Sequence, residues 1–304
     1  MKKLMSKYLT KSFFINLSII GSFAIISLLY FNPILSGKQI KQSDIDQFSG
    51  MSKQIVDHRE KYNEEPFWLD NAFLGMPSYQ VLVKYPFDFL DKLDKLIRFL
   101  PRPADYLFVY LVSFFLLLLS MKVKSEYAFF GAIAFAFSTY LIIILGVGHN
   151  TKALAIGYAP LVLAGLFKIL DKKYLSGFII GSIGLGLQIN ANHYQMTYYF
   201  LMLVGLVTLI HVFDDFIKSD LKNGTKKLGF VFLTTLFAIL LNASSILATQ
   251  EYTNFSTRGK SEISINPDGS KKEKLNGLSN DYITEYSYGK LESFNLIIPR
   301  FMGG

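Results

Sequence analysis

Cysteine is absent from this 304-residue chain. That rules out disulfides, thiolate metal sites and a cysteine nucleophile, and it leaves the compartment open. Acidic residues are in the minority: 23 Asp and Glu stand against 31 Lys and Arg, a net charge of +8. In a soluble chain such an excess would suggest nucleic acid. Here the lysines have a better explanation, and nucleic acid is not expected as a partner. There is no P-loop, no dinucleotide fingerprint and no G-x-S-x-G elbow. "GSIGLG" (181–186) lies inside an apolar run and reads as helix packing.

Apolar runs are what the chain has in quantity. Hydrophobic residues make up 51% of it, a share that decides little by itself. Their distribution decides more, because runs near the length of a bilayer core recur. They cover Phe13–Phe31, Tyr106–Met121, Ala128–Val147, Ala153–Leu170, Leu175–Ile189, Met196–Phe213 and Leu228–Ala248. A cleaved signal peptide would have a shorter apolar core than the first run and an A-x-A-like site after it, so that run is expected to stay as a helix. The fold expected is an all-α polytopic membrane protein of about seven transmembrane helices. Residues 1–250 would form the transmembrane domain and 251–304 the start of an exterior segment.

Lysines in short connections set the orientation. Lys2, Lys3, Lys7 and Lys11 precede the first run, and Lys122 and Lys124 follow the second. Lys172 and Lys173 follow the fourth, and Lys218, Lys222, Lys226 and Lys227 follow the sixth. With seven spans these all fall on one side, and the short turns of the other side hold only Lys152. The positive-inside rule then makes the N-terminus cytoplasmic.

The exterior side carries the candidate chemistry. Its first segment, about 32–105, is long for a mere connection. "SDIDQFSGMSKQIVDHREKY" has Ile45, Phe48, Ile55 and Val56 near helical spacing, a short amphipathic helix. "EEPFWLDNAFLGMPSYQ" reads as an ordered loop. A helix over about 87–100 would put Phe87, Leu90, Leu93, Ile97 and Leu100 on one face. Asp91, Lys92, Asp94, Lys95 and Arg98 would fall largely elsewhere, so it would lie in the membrane interface or pack on the protein's own surface. The shorter turns "GVGHNTK" (146–152), "INANHYQ" (189–195) and "ATQEYTNF" (248–255) are dense in polar groups.

Within these segments Asp44 and Asp46 are the candidate acids. Ser43 as N-cap and Asp46 as the third helical residue would form an acidic variant of the capping box, favoured by the helix dipole. Two residues apart, the carboxylates share no helix face, so one base and one cap is the sensible division. His149 and His193 are candidates for metal ligation or, when protonated, for phosphate binding. A divalent metal stays open as a cofactor, since spacing specifies no two-histidine site. Lys152 is a further phosphate candidate. Gln47, Asn150, Asn192, Gln195, Gln250 and Glu251 are supporting polar residues.

The acidic "SDIDQF", "EEPFWLDNAFLGMPSYQ", "GHNTK" and "NANHYQ" together resemble the YfhO family of bacterial membrane proteins, most of all its Bacteroidetes-type members. The resemblance spans essentially the whole chain. The family resembles the GT-C glycosyltransferases, which take a sugar from a polyprenyl-phosphate carrier on the outer face of the membrane. It implies that an acid in the first exterior loop is the catalytic base or a metal-associated acid, here Asp44 with Asp46 as its neighbour. It also implies a bacterial cytoplasmic membrane, a cell-envelope glycan or lipid as acceptor, and a longer protein. "IIPRFMGG" would then be mid-domain, and the fragment alone inactive. A transporter or flippase of lipid-linked sugars is the alternative. The near absence of ionisable groups within the runs argues against it.

Overall fold

The computed structural model describes residues 11–86 and 88–256, with further stretches between 265 and 302. Lys2, Lys3, Lys7 and Phe87 lie outside the described residues. The chain forms two compact units, Met1–Ser244 and Ser245–Gly304.

The first unit is helical apart from one two-residue strand pair. Its helices are α1 (Lys11–Tyr30), α2 (Ser43–Tyr62), α3 (Phe89–Ile97), α4 (Ala104–Ser120), α5 (Ser125–Ala136) and α6 (Thr139–Val147). They continue with α7 (Asn150–Leu170), α8 (Tyr174–Asn190), α9 (Tyr194–Ile217) and α10 (Leu221–Leu241). Between α2 and α3, β1 (Trp68–Leu69) pairs antiparallel with β2 (Met76–Pro77).

Every apolar run of the sequence is helical. By length and composition, α1, α7, α9 and α10 can each cross a membrane, and the bent pair α5–α6 makes a fifth candidate. α4 and α8 are apolar but have only 17 residues each, the lower end of what a bilayer demands. The helices fit an all-α membrane protein. Two runs expected to be unbroken are not. The third bends by 46° between α5 and α6, where Ser138 takes an extended backbone (ψ 139°). The last ends at Asn242, whose side-chain N–H groups bond the carbonyls of Ala238 and Gly186.

Burial separates the centre of the bundle from its rim. α4 is buried nearly all round, and 61% of the apolar window of α7 is buried, against 11% in α1 and 22% in α9 and α10. α1, α9 and α10 leave Leu29, Phe213 and Phe232 exposed. Long helices with this much uncovered apolar surface suit lipid contact. α7 and α8 pack closest: a Cβ added at Gly165 would lie 2.4 Å from the Gly181 backbone, the small-residue contact expected of "GSIGLG". A hydrogen bond from Gln188 Nε2 to Ala155 O (3.0 Å) reinforces it, and one from Ser113 Oγ to Gly157 O (2.5 Å) ties α4 to α7.

The lysine turns share one end of the bundle. Lys122, after α4, pairs with Asp171, after α7, at 2.5 Å. Lys172 pairs with Asp220, after α9, at 3.5 Å. The 21 residues of α7 put its two ends about 30 Å apart. The other end, at Asn150, meets the 32–105 segment.

That segment departs from expectation in two places. α2 starts at Ser43 itself, with Gln42 as its N-cap and no side-chain cap bond, so the capping box on Ser43 does not form. Ser43 Oγ instead contacts Asp44 Oδ1 at 3.5 Å. α3 is shorter than 87–100 and begins after Asp88, whose Oδ1 accepts from the Asp91 N–H (2.9 Å). Part of its apolar face is turned to the protein. Leu90 is fully buried, and Leu93, Ile97 and Leu100 pack against the core, while Phe89, Leu96 and Phe99 stay exposed.

In the second unit, Ile265 and Lys271 form an isolated antiparallel bridge, and Ser279 caps a short helix, Asn280–Thr284, by accepting from the Tyr282 N–H.

Candidate functional site

The segment after α1 is fixed to the end of α6 by one side chain. Gln42 Nε2 donates to the carbonyl of Leu145. Gly148 then lets the two chains approach. It has φ +95°, and a Cβ there would sit 3.1 Å from the Gln42 Cβ and 3.3 Å from the Asp44 Cβ. Glycine therefore serves a left-handed turn and a close approach at once. The result is a direct contact: His149 Nε2 lies 3.3 Å from Asp44 Oδ2, both side chains about half exposed.

This pair stands on a cleft of about 620 Å³. Six residues singled out in the sequence meet there: Asp44, His149, Asn150, Lys152, Asn192 and His193. Four of them precede or open helices: His149 is the N-cap of α7 and Asn150 its first residue, His193 is the N-cap of α9, and Asp44 lies in the first turn of α2. Phe48, Val81, Leu82 and Leu154 add apolar wall, so the cleft can accept an amphiphile.

Asp46 and Gln47 are exposed on α2 and Gln195 on α9, all off the cleft. Gln250 and Glu251 are exposed residues of the second unit. Burial holds His193 below the ordinary histidine range, and the charges of Lys152 and His149 push the same way. His193 is thus neutral at pH 7 and offers the cleft a hydrogen bond, not a charge. Among the described residues no cluster of three or more His, Asp or Glu could hold a metal ion.

The sequence reading missed the floor of the cleft. Arg98 Nε and Nη2 donate to Asp94 Oδ2 (2.9 and 2.5 Å), and Nη1 donates to Asp105 Oδ2 (2.7 Å). Tyr158 of α7 donates to Asp94 Oδ1 (2.6 Å). This network ties α3 to α4 and α7. Burial works against the charge on Arg98, but the hydrogen bond and charge of Asp94, with Asp105 behind it, hold Arg98 above its ordinary range. Arg102 lines the cleft as well and rests over the Tyr106 ring at 5.6 Å. The signal was available, since Asp94 and Arg98 stand four apart on a helix and Arg102 sits between two prolines just before a run.

A second anchor shapes the rim. Arg59 of α2 grips Glu65 (Nε to Oε2, 2.6 Å) and the Leu82 carbonyl, and Glu65 Oε1 accepts from the Lys84 N–H (2.8 Å). Leu82, held in this way, is part of the apolar wall of the cleft.

No protein-family model matches the chain, and no curated protein or solved structure matches it.

Proposed function

We propose that the chain is a YfhO-like glycosyltransferase of the GT-C type in a bacterial cytoplasmic membrane. In this reading all the apolar runs cross the bilayer, seven spans in total, with the cleft on the exterior face. The observation that carries it is the Asp44–His149 contact on an amphiphilic cleft, at the end of α7 remote from the lysine turns. A sugar on a polyprenyl phosphate is itself amphiphilic and needs such a boundary site.

An acceptor hydroxyl is a weak nucleophile and needs a base within hydrogen-bond reach. Asp44 takes its proton, and His149 beside it orients the carboxylate. The hydroxyl oxygen bonds to the anomeric carbon as the bond from that carbon to the phosphate oxygen breaks. The bonding pair leaves with the polyprenyl phosphate, whose charge needs cationic or hydrogen-bonding partners. Lys152, His149 and His193 are the partners expected from the sequence.

The test is transfer by the purified protein in detergent, from a polyprenyl-phosphate sugar to envelope glycan or lipid acceptors. Free polyprenyl phosphate and labelled acceptor are expected without a sealed compartment. Asp44→Asn abolishes both at unchanged folding, whereas Asp46→Asn, off the cleft, keeps most of the activity. Full activity of Asp44→Asn would sink the reading. So would an absence of transfer with lipid movement across proteoliposomes, the mark of a flippase.

A further inference from the structure

A second cleft of about 380 Å³ adjoins the first and shares Ile45, Arg102 and Asn150 with it. The two differ in charge. Asp44, Asp91 and Asp94 line the first. The second has no carboxylate in its wall and holds two cations, Lys38 and Arg102. Neither of these forms an ion pair among the described residues, although Arg102 is near enough to Asp105 for its charge to act on that carboxyl. Arg98, next to Arg102 along the chain, is by contrast occupied by Asp94 and Asp105.

The second cleft also has hydrogen-bonding groups with nothing to bond. Tyr106 is 1% exposed and its hydroxyl has no partner, and Asn150 Nδ2 has none either. Buried polar groups are rarely left in this state, so each calls for an explanation. Two cations and two unmet donors around one hollow suit an anion with several acceptor oxygens.

We propose that this second cleft is an oxyanion subsite for a phosphate ester, with Arg102 and Lys38 supplying charge and Tyr106 and Asn150 supplying hydrogen bonds. The phosphate then sits beside the acid-bearing cleft and not within it. This moves the phosphate away from Lys152, the partner expected from the sequence, which lines the first cleft and not the second. Ile34, Ile40 and Pro101 give the subsite an apolar flank. Ile34 belongs to the Asn32–Ser36 turn, directly after α1, so the subsite lies beside the end of an apolar helix, within reach of the phosphate of a lipid. The subsite stands on its own geometry. Its assignment to the sugar donor's phosphate rests on the glycosyl-transfer reading.

The test is binding of inorganic phosphate and of farnesyl phosphate to the protein in neutral detergent, by calorimetry. Both are expected to bind. Tighter farnesyl phosphate, by about tenfold or more, marks a lipid as the source, and equal affinities mark free phosphate. Arg102→Gln weakens binding about tenfold, as expected for a lost charge-assisted bond, and Arg102→Lys recovers part of it. Tyr106→Phe weakens it less and leaves the unfolding temperature unchanged. Lys152→Gln and Asp44→Asn leave it within twofold. Failure of both ligands to bind, or unchanged affinity in Arg102→Gln, would overturn the proposal. So would a loss in Lys152→Gln equal to that in Arg102→Gln. A protein that binds phosphate through Arg102 but transfers no sugar would keep the subsite and discard the enzyme.

Discussion

At the lysine-rich end of the bundle every aspartate meets a lysine: Asp171 meets Lys122 and Lys173, Asp220 meets Lys172 and Asp214 meets Lys218, all with solvent access, and the one buried carboxylate among them, Asp215, is matched one to one by Lys227. At the cleft end the balance is uneven. Two buried carboxylates, Asp94 and Asp105, share Arg98, while Arg102 and Lys152 form no ion pair among the described residues. Exposed pairs are solvated whether or not they meet, and they add little to stability. Groups in the wall of a cleft do not have that freedom. An imbalance there costs free energy in the empty protein and is recovered when a ligand completes it. In the proposed reading the same residue types serve orientation at one end and recognition at the other.

The largest effect is expected where that contrast is sharpest. Arg98→Met leaves Asp94 and Asp105 buried without a counter-charge. Removing one partner of such a network costs about 3–5 kcal/mol, enough to lower the unfolding temperature and the yield markedly. Adding Asp94→Asn and Asp105→Asn to Arg98→Met recovers much of the loss. At the other end Asp171→Asn leaves the unfolding transition where it is. Thermal unfolding in detergent checks all three. Equal effects at the two ends would remove the distinction drawn above.

A smaller loss is expected at Gly148. Alanine there must take φ +95°, at a cost of about 1–2 kcal/mol, and its Cβ presses on Gln42 and Asp44. Sugar transfer should fall further than stability does, because the Asp44–His149 contact is displaced. A variant that loses stability but keeps full transfer would show that the contact is incidental.

Much of this contrast was legible in the sequence, and the reasons are specific. The helices read well because they come from runs apolar on every side over about 15 residues or more, a signal that needs no partner. The breaks at Ser138 and Asn242 did not, because a single polar residue inside an apolar run is common. The lysine turns placed "GHNTK" and "NANHYQ" at the same end as Asp44. The contact between Asp44 and His149 joins residues far apart in the chain, through Gln42 and Gly148, and no local pattern carries that. Amphipathicity gave α3 an apolar face without saying whether lipid or protein covers it, so its core-packed Leu90 could not be told from its exposed Phe89. Asp94 and Arg98 accordingly read only as part of the charged side of that helix, when they are paired, largely buried and in the wall of the cleft.

The smallest effect concerns pH, and it separates the two ends once more. Burial lowers the pKa of His193 from its ordinary 6.5. As pH falls through that value the unfolded chain takes up a proton that the folded chain resists. Stability contributed by neutral His193 is thus present above about pH 6.5, and it is lost as pH falls from there toward the lower folded value. His193→Gln cannot titrate, so its unfolding temperature should change less between pH 7.5 and pH 5.5 than that of the parent protein. An oxyanion bound in the neighbouring cleft would add negative potential near the histidine and draw its pKa back upward. With phosphate present, the parent's loss between those pH values should therefore shrink toward that of His193→Gln. If phosphate leaves the pH dependence unchanged while calorimetry reports it bound, the anion lies too far from His193 for the two clefts to work as one site.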